Sequence, residues 1–156
     1  MTKVANILMV TLLLTMCLSV SAALANDQSG QLVYNNKPFT VSIGEISLND
    51  EGKTTVEVLT DLEVLAGAND GIAPMFAVSS ALKMKIVVGN KTYQSKLFGV
   101  KDGGLVLKGK QGDQFVIAVN HIVFHFEIKA NPSKIILFNS IGPEITFDAK
   151  TLRVIK

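Results

Sequence analysis

The sequence contains no tryptophan, only two tyrosines, and a single cysteine, Cys17. Because Cys17 lies in the N-terminal apolar stretch discussed below, the rest of the chain has no thiol. That excludes a disulfide scaffold, a thiol nucleophile and a cysteine-ligated metal or cluster from the folded part. Charge of one sign is scarce as well. The formal net charge is +2 over 156 residues, which argues against a dedicated nucleic-acid binder, since that would need a clear basic excess. Intrinsic disorder is excluded in turn by 48% hydrophobic against 18% charged residues. Long apolar runs are missing after the N-terminus, so no membrane span is expected once that segment is removed.

The N-terminus, MTKVANILMVTLLLTMCLSVSAALA, has the design of an export signal. Lys3 supplies an early positive charge, Ile7 to Val20 form an uncharged apolar stretch, and Ala23 and Ala25 flank Leu24 in the small-residue pattern of a cleavage site. The apolar stretch is short of the roughly 20 residues that span a bilayer. Met16 stands where a lipidation motif would need a small residue before Cys17. The expectation is a signal peptide over residues 1–25, cleaved after Ala25, and one domain over residues 26–156 in the periplasm or outside the cell. Cleavage removes one basic residue, leaving 14 Lys+Arg against 13 Asp+Glu.

What is abundant is period-two alternation, the mark of strands with one face buried. Phe39, Val41 and Ile43 share one parity, as do Val56, Val58, Leu62 and Val64, and again Leu82, Met84, Ile86 and Val88. Gly89-Asn90 between two such runs reads as a two-residue hairpin turn. Asp102-Gly103-Gly104 and Asn131-Pro132-Ser133-Lys134 read as further turns. One stretch changes parity: Phe115, Ile117 and Val119 are odd, whereas Ile122, Phe124, Phe126 and Ile128 are even. Since a one-residue shift swaps faces, this requires a bulge, a corner or a change of sheet near Asn120-His121. Residues 74–83 (PMFAVSSALK) are expected to be a loop with at most one helical turn, because Val78-Ser79-Ser80 supports a helix poorly even with Pro74 at its start. The pattern predicts an all-β sandwich of roughly 8–10 short antiparallel strands. The expected core is Val41, Val58, Leu62, Leu82, Met84, Ile86, Ile117, Phe124, Phe126 and Ile136.

Candidate chemistry is thin. His121 and His125 are the only histidines, and four residues along a strand separate them by roughly 13 Å, too far to share one ion. Met75 and Met84 form no soft-ligand cluster for copper. Ser80-Ala81-Leu82-Lys83 matches the S-x-x-K pattern without its companion motifs. No nucleophile elbow or phosphate loop occurs, the paired carboxylates Asp50-Glu51 sit in a turn, and Asp70 stands without a spaced set of calcium ligands. No catalytic residue, cofactor site or metal site is therefore expected, and the protein reads as a non-enzyme.

Charge patterning is more informative. Between Glu45 and Asp70 there are seven acidic residues and one lysine, and between Lys83 and Lys110 seven lysines and one aspartate. Either these are outward faces of neighbouring strands that pair with one another, or the lysines form a patch for an anionic surface such as a glycan or lipid headgroup. Lys83, Lys85, Lys91 and Lys96, gathered on one predicted hairpin, are the candidate contacts.

The run Asn36-Lys37-Pro38-Phe39-Thr40-Val41-Ser42-Ile43, an acidic strand, a long central hairpin, then residues 109–128 (GKQGDQFVIAVNHIVFHFEI) and Lys134–Phe138 with Ile145–Phe147, is similar in order to the telokin-like, immunoglobulin-like domains of exported bacterial proteins of unassigned function. The resemblance covers most of residues 26–156. It implies an immunoglobulin-like sandwich with an adhesive or partner-binding role and no catalytic residues. Two features depart from the pattern: no Asn-rich turn follows the acidic strand, and no lipid-anchor cysteine is present. The functional expectation is an exported non-catalytic binding or adhesion-type module of the bacterial envelope, its partner an envelope protein, a glycan or an anionic surface. The alternative is a small periplasmic metal carrier or hydrolase on the same sandwich.

Overall fold

The structure, a computed structural model, describes residues 27–67 and 73–155. The expected signal segment, its cleavage site and the Asn69-Asp70-Gly71 turn lie outside the described residues. Among the described residues ten strands and one helix follow in order: β1 (Ser29–Tyr34), β2 (Lys37–Leu48), β3 (Thr54–Gly67), α1 (Ala73–Ala81), β4 (Lys83–Val88), β5 (Lys91–Gln94), β6 (Leu97–Val100), β7 (Leu105–Gln111), β8 (Gln114–His125), β9 (Lys134–Phe138) and β10 (Ile145–Asp148). They form two antiparallel sheets. Sheet A runs β1-β2-β3-β8, with β6 and β7 end to end along the far edge of β8, and sheet B runs β10-β9-β4-β5. The all-β sandwich expected from the alternation is the fold of the described residues.

The core lies between the sheets. Val41, Val56, Val58, Leu62, Ile122 and Phe124 from sheet A meet Met84, Ile86, Ile135, Leu137 and Phe147 from sheet B, all buried. Eight of the ten residues expected in the core are there. Ile117 is half-buried and packs against it. Ile136 is a correction: Ile135 and Leu137 are the inward pair on β9, and Ile136 stands on the outer face opposite Lys85. An apolar run of four, Ile135 to Phe138, with no polar residue between offers no parity signal, so only pairing with β4 chooses the face.

The turns follow backbone chemistry. Asn35 and Asn36 both take positive φ, 51° and 60°, closing the β1–β2 hairpin in the twist-matched geometry that asparagine tolerates. Gly89, with φ 63°, closes β4–β5 as expected from Gly89-Asn90. At Lys101–Gly104 the Gly104 amide donates to the Lys101 carbonyl at 2.7 Å, and Gly103 supplies φ 78° at the third position, as a type II turn requires. This turn separates β6 from β7 opposite Asn120-His121. There the β3–β8 register shifts between Leu59↔His121 and Leu62↔Val119. The bulge demanded by the parity change in β8 is thus present, and β8 stays within sheet A. Asn131-Pro132 lies instead in the crossing that carries the chain from β8 in sheet A to β9 in sheet B.

The stretch expected as a loop is a helix, α1 over Ala73–Ala81. Burial outweighs the weak local propensity. Val78 and Ala81 are fully buried and α1 packs beside β3, which offsets the Ser79 and Ser80 hydroxyls that fold back to donate to the Phe76 carbonyl at 2.9 and 3.1 Å, a local bond that slightly disfavours a helix.

Candidate functional site

Strand parity puts Thr55, Glu57, Leu59, Asp61 and Glu63 on the outer face of β3, and His121, Val123 and His125 on the same face of β8. Glu57 is the centre of a small charged cluster. One carboxylate oxygen pairs with Lys101 Nζ from the β6–β7 turn, and the other lies 3.1 Å from His121 Nε2. The Glu57 side chain is only 14% exposed. The lysine ammonium beside it, and then the imidazole, hold its carboxyl below the ordinary carboxylate range, against the opposing effect of burial. A carboxylate so engaged accepts hydrogen bonds from two donors, so the cluster joins β3, β8 and the β6–β7 turn. Gly104 completes that turn, because a Cβ there would stand 2.8 Å from the His121 and Lys101 carbonyl oxygens.

His125 lies four residues beyond His121 on the same face and lines a cleft at the end of the sandwich. Among the described residues no group of three or more His, Asp or Glu is placed to hold a metal ion. Met84 is fully buried in the core, and Met75 lines a shallow apolar recess with Phe76, Leu97 and Phe98. Ser80 is tied to its own helix, and Lys83 begins the next strand, so the S-x-x-K match assembles no site.

The acidic and basic runs meet at one ion pair among the described residues, Lys101–Glu57, and the hairpin lysines do not face the acidic strand. The acidic strand β3 is in sheet A, whereas β4 and β5 carry Lys83, Lys85 and Lys91 in sheet B. Ion pairs among the described residues include Lys37–Glu63, Lys53–Glu51, Lys53–Glu127, Lys85–Glu144 and Lys101–Glu57. Lys83 and Lys85 share the outer face of sheet B, where Lys85 also lies 4.9 Å from the Phe138 ring centre. Lys91 sits at the end of the hairpin, and Lys96 follows it in the link to β6. Of the four candidate lysines only Lys85 joins an ion pair among the described residues.

Sequence reasoning missed the β7 edge. All seven residues of β7 are exposed, and its ladder partner is β8. Leu105 and Leu107 pair with Val119 and Ile117, so they lie on the inner face of sheet A, yet they are 40% and 63% exposed. The smaller sheet B leaves this end of the inner face uncovered. Val106 on the other face is also exposed, and Lys108 and Lys110 follow. The run Leu105-Val106-Leu107 read as an ordinary strand, because local pattern does not say whether a second sheet reaches over it.

Fold and surface together define an all-β sandwich with an open apolar edge and scattered lysines. No family model, curated protein or solved structure matches the chain.

Proposed function

We propose that this chain is an exported, non-catalytic binding module of the bacterial envelope, which captures an extended segment of an envelope protein along β7. The observation that supports this reading most is the bare β7 edge: a strand with one side unpaired among the described residues, and with exposed Leu105, Val106 and Leu107. A free edge offers main-chain hydrogen bonds to an added strand, and alternate side chains provide specificity. Lys108 and Lys110 on that edge disfavour a second copy of the same strand, a common protection against self-association. They favour a partner segment that mixes apolar with acidic residues. The export signal expected over residues 1–25 places such a module in the periplasm or at the cell surface. The telokin-like resemblance agrees with a partner-binding role.

The test is capture of envelope protein by the mature chain, compared with a Leu107→Glu variant. Leu107 is mostly exposed, so the variant should keep its thermal stability within about 0.5 kcal/mol, as surface changes do. It should lose the captured partner. If Leu107→Glu retains its partner while Lys83→Gln with Lys85→Gln and Lys96→Gln abolishes a salt-sensitive interaction, recognition of an anionic surface by the hairpin lysines replaces the edge reading.

A further inference from the structure

At the end of the sandwich where β5 and the last residues of β8 part, a cleft of about 340 Å³ opens between the two sheets. That volume is at the lower end of the roughly 300–1,000 Å³ typical of small-molecule sites. Tyr93, Leu97, Phe126 and Ile128 line it together with Lys96 and His125. Phe126 is buried, and Tyr93 and Ile128 pack against the core, so the floor is apolar and continuous with the interior.

Both walls are fixed without a ligand. On one side, the Ser95 amide donates to the Met84 carbonyl of sheet B at 2.9 Å. Its hydroxyl lies 2.8 Å from the carbonyl oxygens of Leu97 and of His125 in sheet A. On the other, fully buried Thr54 holds the crossing beyond β8: its hydroxyl donates to the Ala130 carbonyl at 3.1 Å and accepts from the Ala130 amide at 2.8 Å. The Thr54 amide reaches the Ile128 carbonyl at 2.8 Å. A cleft held in this way loses little conformational freedom when it is filled.

The charges at its mouth are sorted. Glu127, the carboxylate in the lining, is paired with Lys53 at 2.9 Å. Among the described residues Lys96 joins no ion pair within 4 Å, although its charge adds a little to the effect of Lys53 in holding the Glu127 carboxyl down, and the His125 ring joins no hydrogen bond. The result is an apolar floor with an exposed ammonium at the rim and a neighbouring carboxylate held mainly by Lys53, which also pairs with Glu51. From this arrangement we infer that the cleft binds a small amphipathic carboxylate, its hydrocarbon portion on Tyr93, Leu97 and Ile128 and its carboxylate toward Lys96. The inference does not rest on strand capture by β7, which is a separate surface.

The test uses the mature chain, sodium octanoate, and 1-octanol as the neutral counterpart of equal chain length, followed by two-dimensional amide NMR. Octanoate should shift the amides of residues 92–97 and 125–128. Lys96→Gln, a change at an exposed side chain that leaves the fold intact, should weaken octanoate binding about five- to tenfold, the scale of one charge-assisted contact at a partly open site. It should leave octanol binding unchanged. Leu97→Asp should weaken both ligands. The inference is overturned if octanoate shifts no amide at the cleft, if octanoate and octanol bind alike, or if Lys96→Gln leaves the octanoate affinity unchanged.

Discussion

Glu57 joins three separate stretches of chain through one side chain, and its chemistry is simple enough to predict. In the folded protein its carboxyl is held below its ordinary value of 4.5, chiefly by Lys101. A carboxyl whose folded value is depressed contributes stability that is complete above the unfolded value and is lost as pH falls through the folded one. Glu57→Gln should therefore be less stable than the parent by about 1 kcal/mol near pH 7, the worth of a charge-assisted contact at a partly exposed site. Thermal melts taken from about pH 6 down to about pH 3 should show the two proteins converging as the parent's carboxylate is protonated. A gap of constant size across that range would mean that Glu57 acts through packing alone. The lysine run set against the acidic strand includes Lys101, but nothing in the sequence singles it out from the other six, because Lys101 and His121 reach Glu57 only through the order of strands in sheet A.

At the scale of elements, alternation was a sufficient guide wherever polar residues separate the apolar ones. Val56, Val58, Leu62 and Val64 declare their buried face, as do Leu82, Met84 and Ile86, because a strand has period two and one face of each sheet meets the other sheet. The guide fails at β9, where Lys134-Ile135-Ile136-Leu137-Phe138 has no polar residue inside the run. Ile135 is fully buried and Ile136 only half-buried. Ile135→Ala should cost about 2–5 kcal/mol as a buried truncation. Ile136→Ala should cost about 1 kcal/mol, the centre of the general distribution. Denaturant titration of both variants measures the difference, and equal losses would mean that the β9 face is misassigned. The helix α1 illustrates the same limit from the other side: burial of Val78 and Ala81 outweighs a sequence with little helical preference of its own.

At the scale of the whole molecule, Asn139 shows what holds the two sheets and the helix in one arrangement. Its side chain is buried, its amide donates to the Val33 carbonyl of β1 at 3.0 Å and to the Ala81 carbonyl at the end of α1 at 3.1 Å, and its oxygen accepts from the Ile141 and Gly142 amides at 3.0 and 3.3 Å. Asn139→Ala would leave these main-chain groups without partners, at about 1–3 kcal/mol for each one that stays buried and unpaired. We expect a loss of at least about 2 kcal/mol in an equilibrium melt, whereas an unchanged midpoint would show that water replaces the amide fully. The Ile141 and Gly142 bonds are local, but nothing in the local pattern shows the amide's other role, since the two carbonyls it donates to lie 58 and 106 positions away. By itself the sequence determined the strand class, the inward faces of most strands, the Gly89 and Gly103 turns and the break at Asn120-His121. Each of these follows from side-chain period or backbone freedom within a few residues. Tertiary structure alone decided which strands share a sheet, and therefore that Glu57 meets Lys101, that Lys85 meets Glu144, that β7 is left bare, and that a cleft opens beside Lys96. These depend on contacts between distant stretches of chain, which compete for partners only once the two sheets have packed.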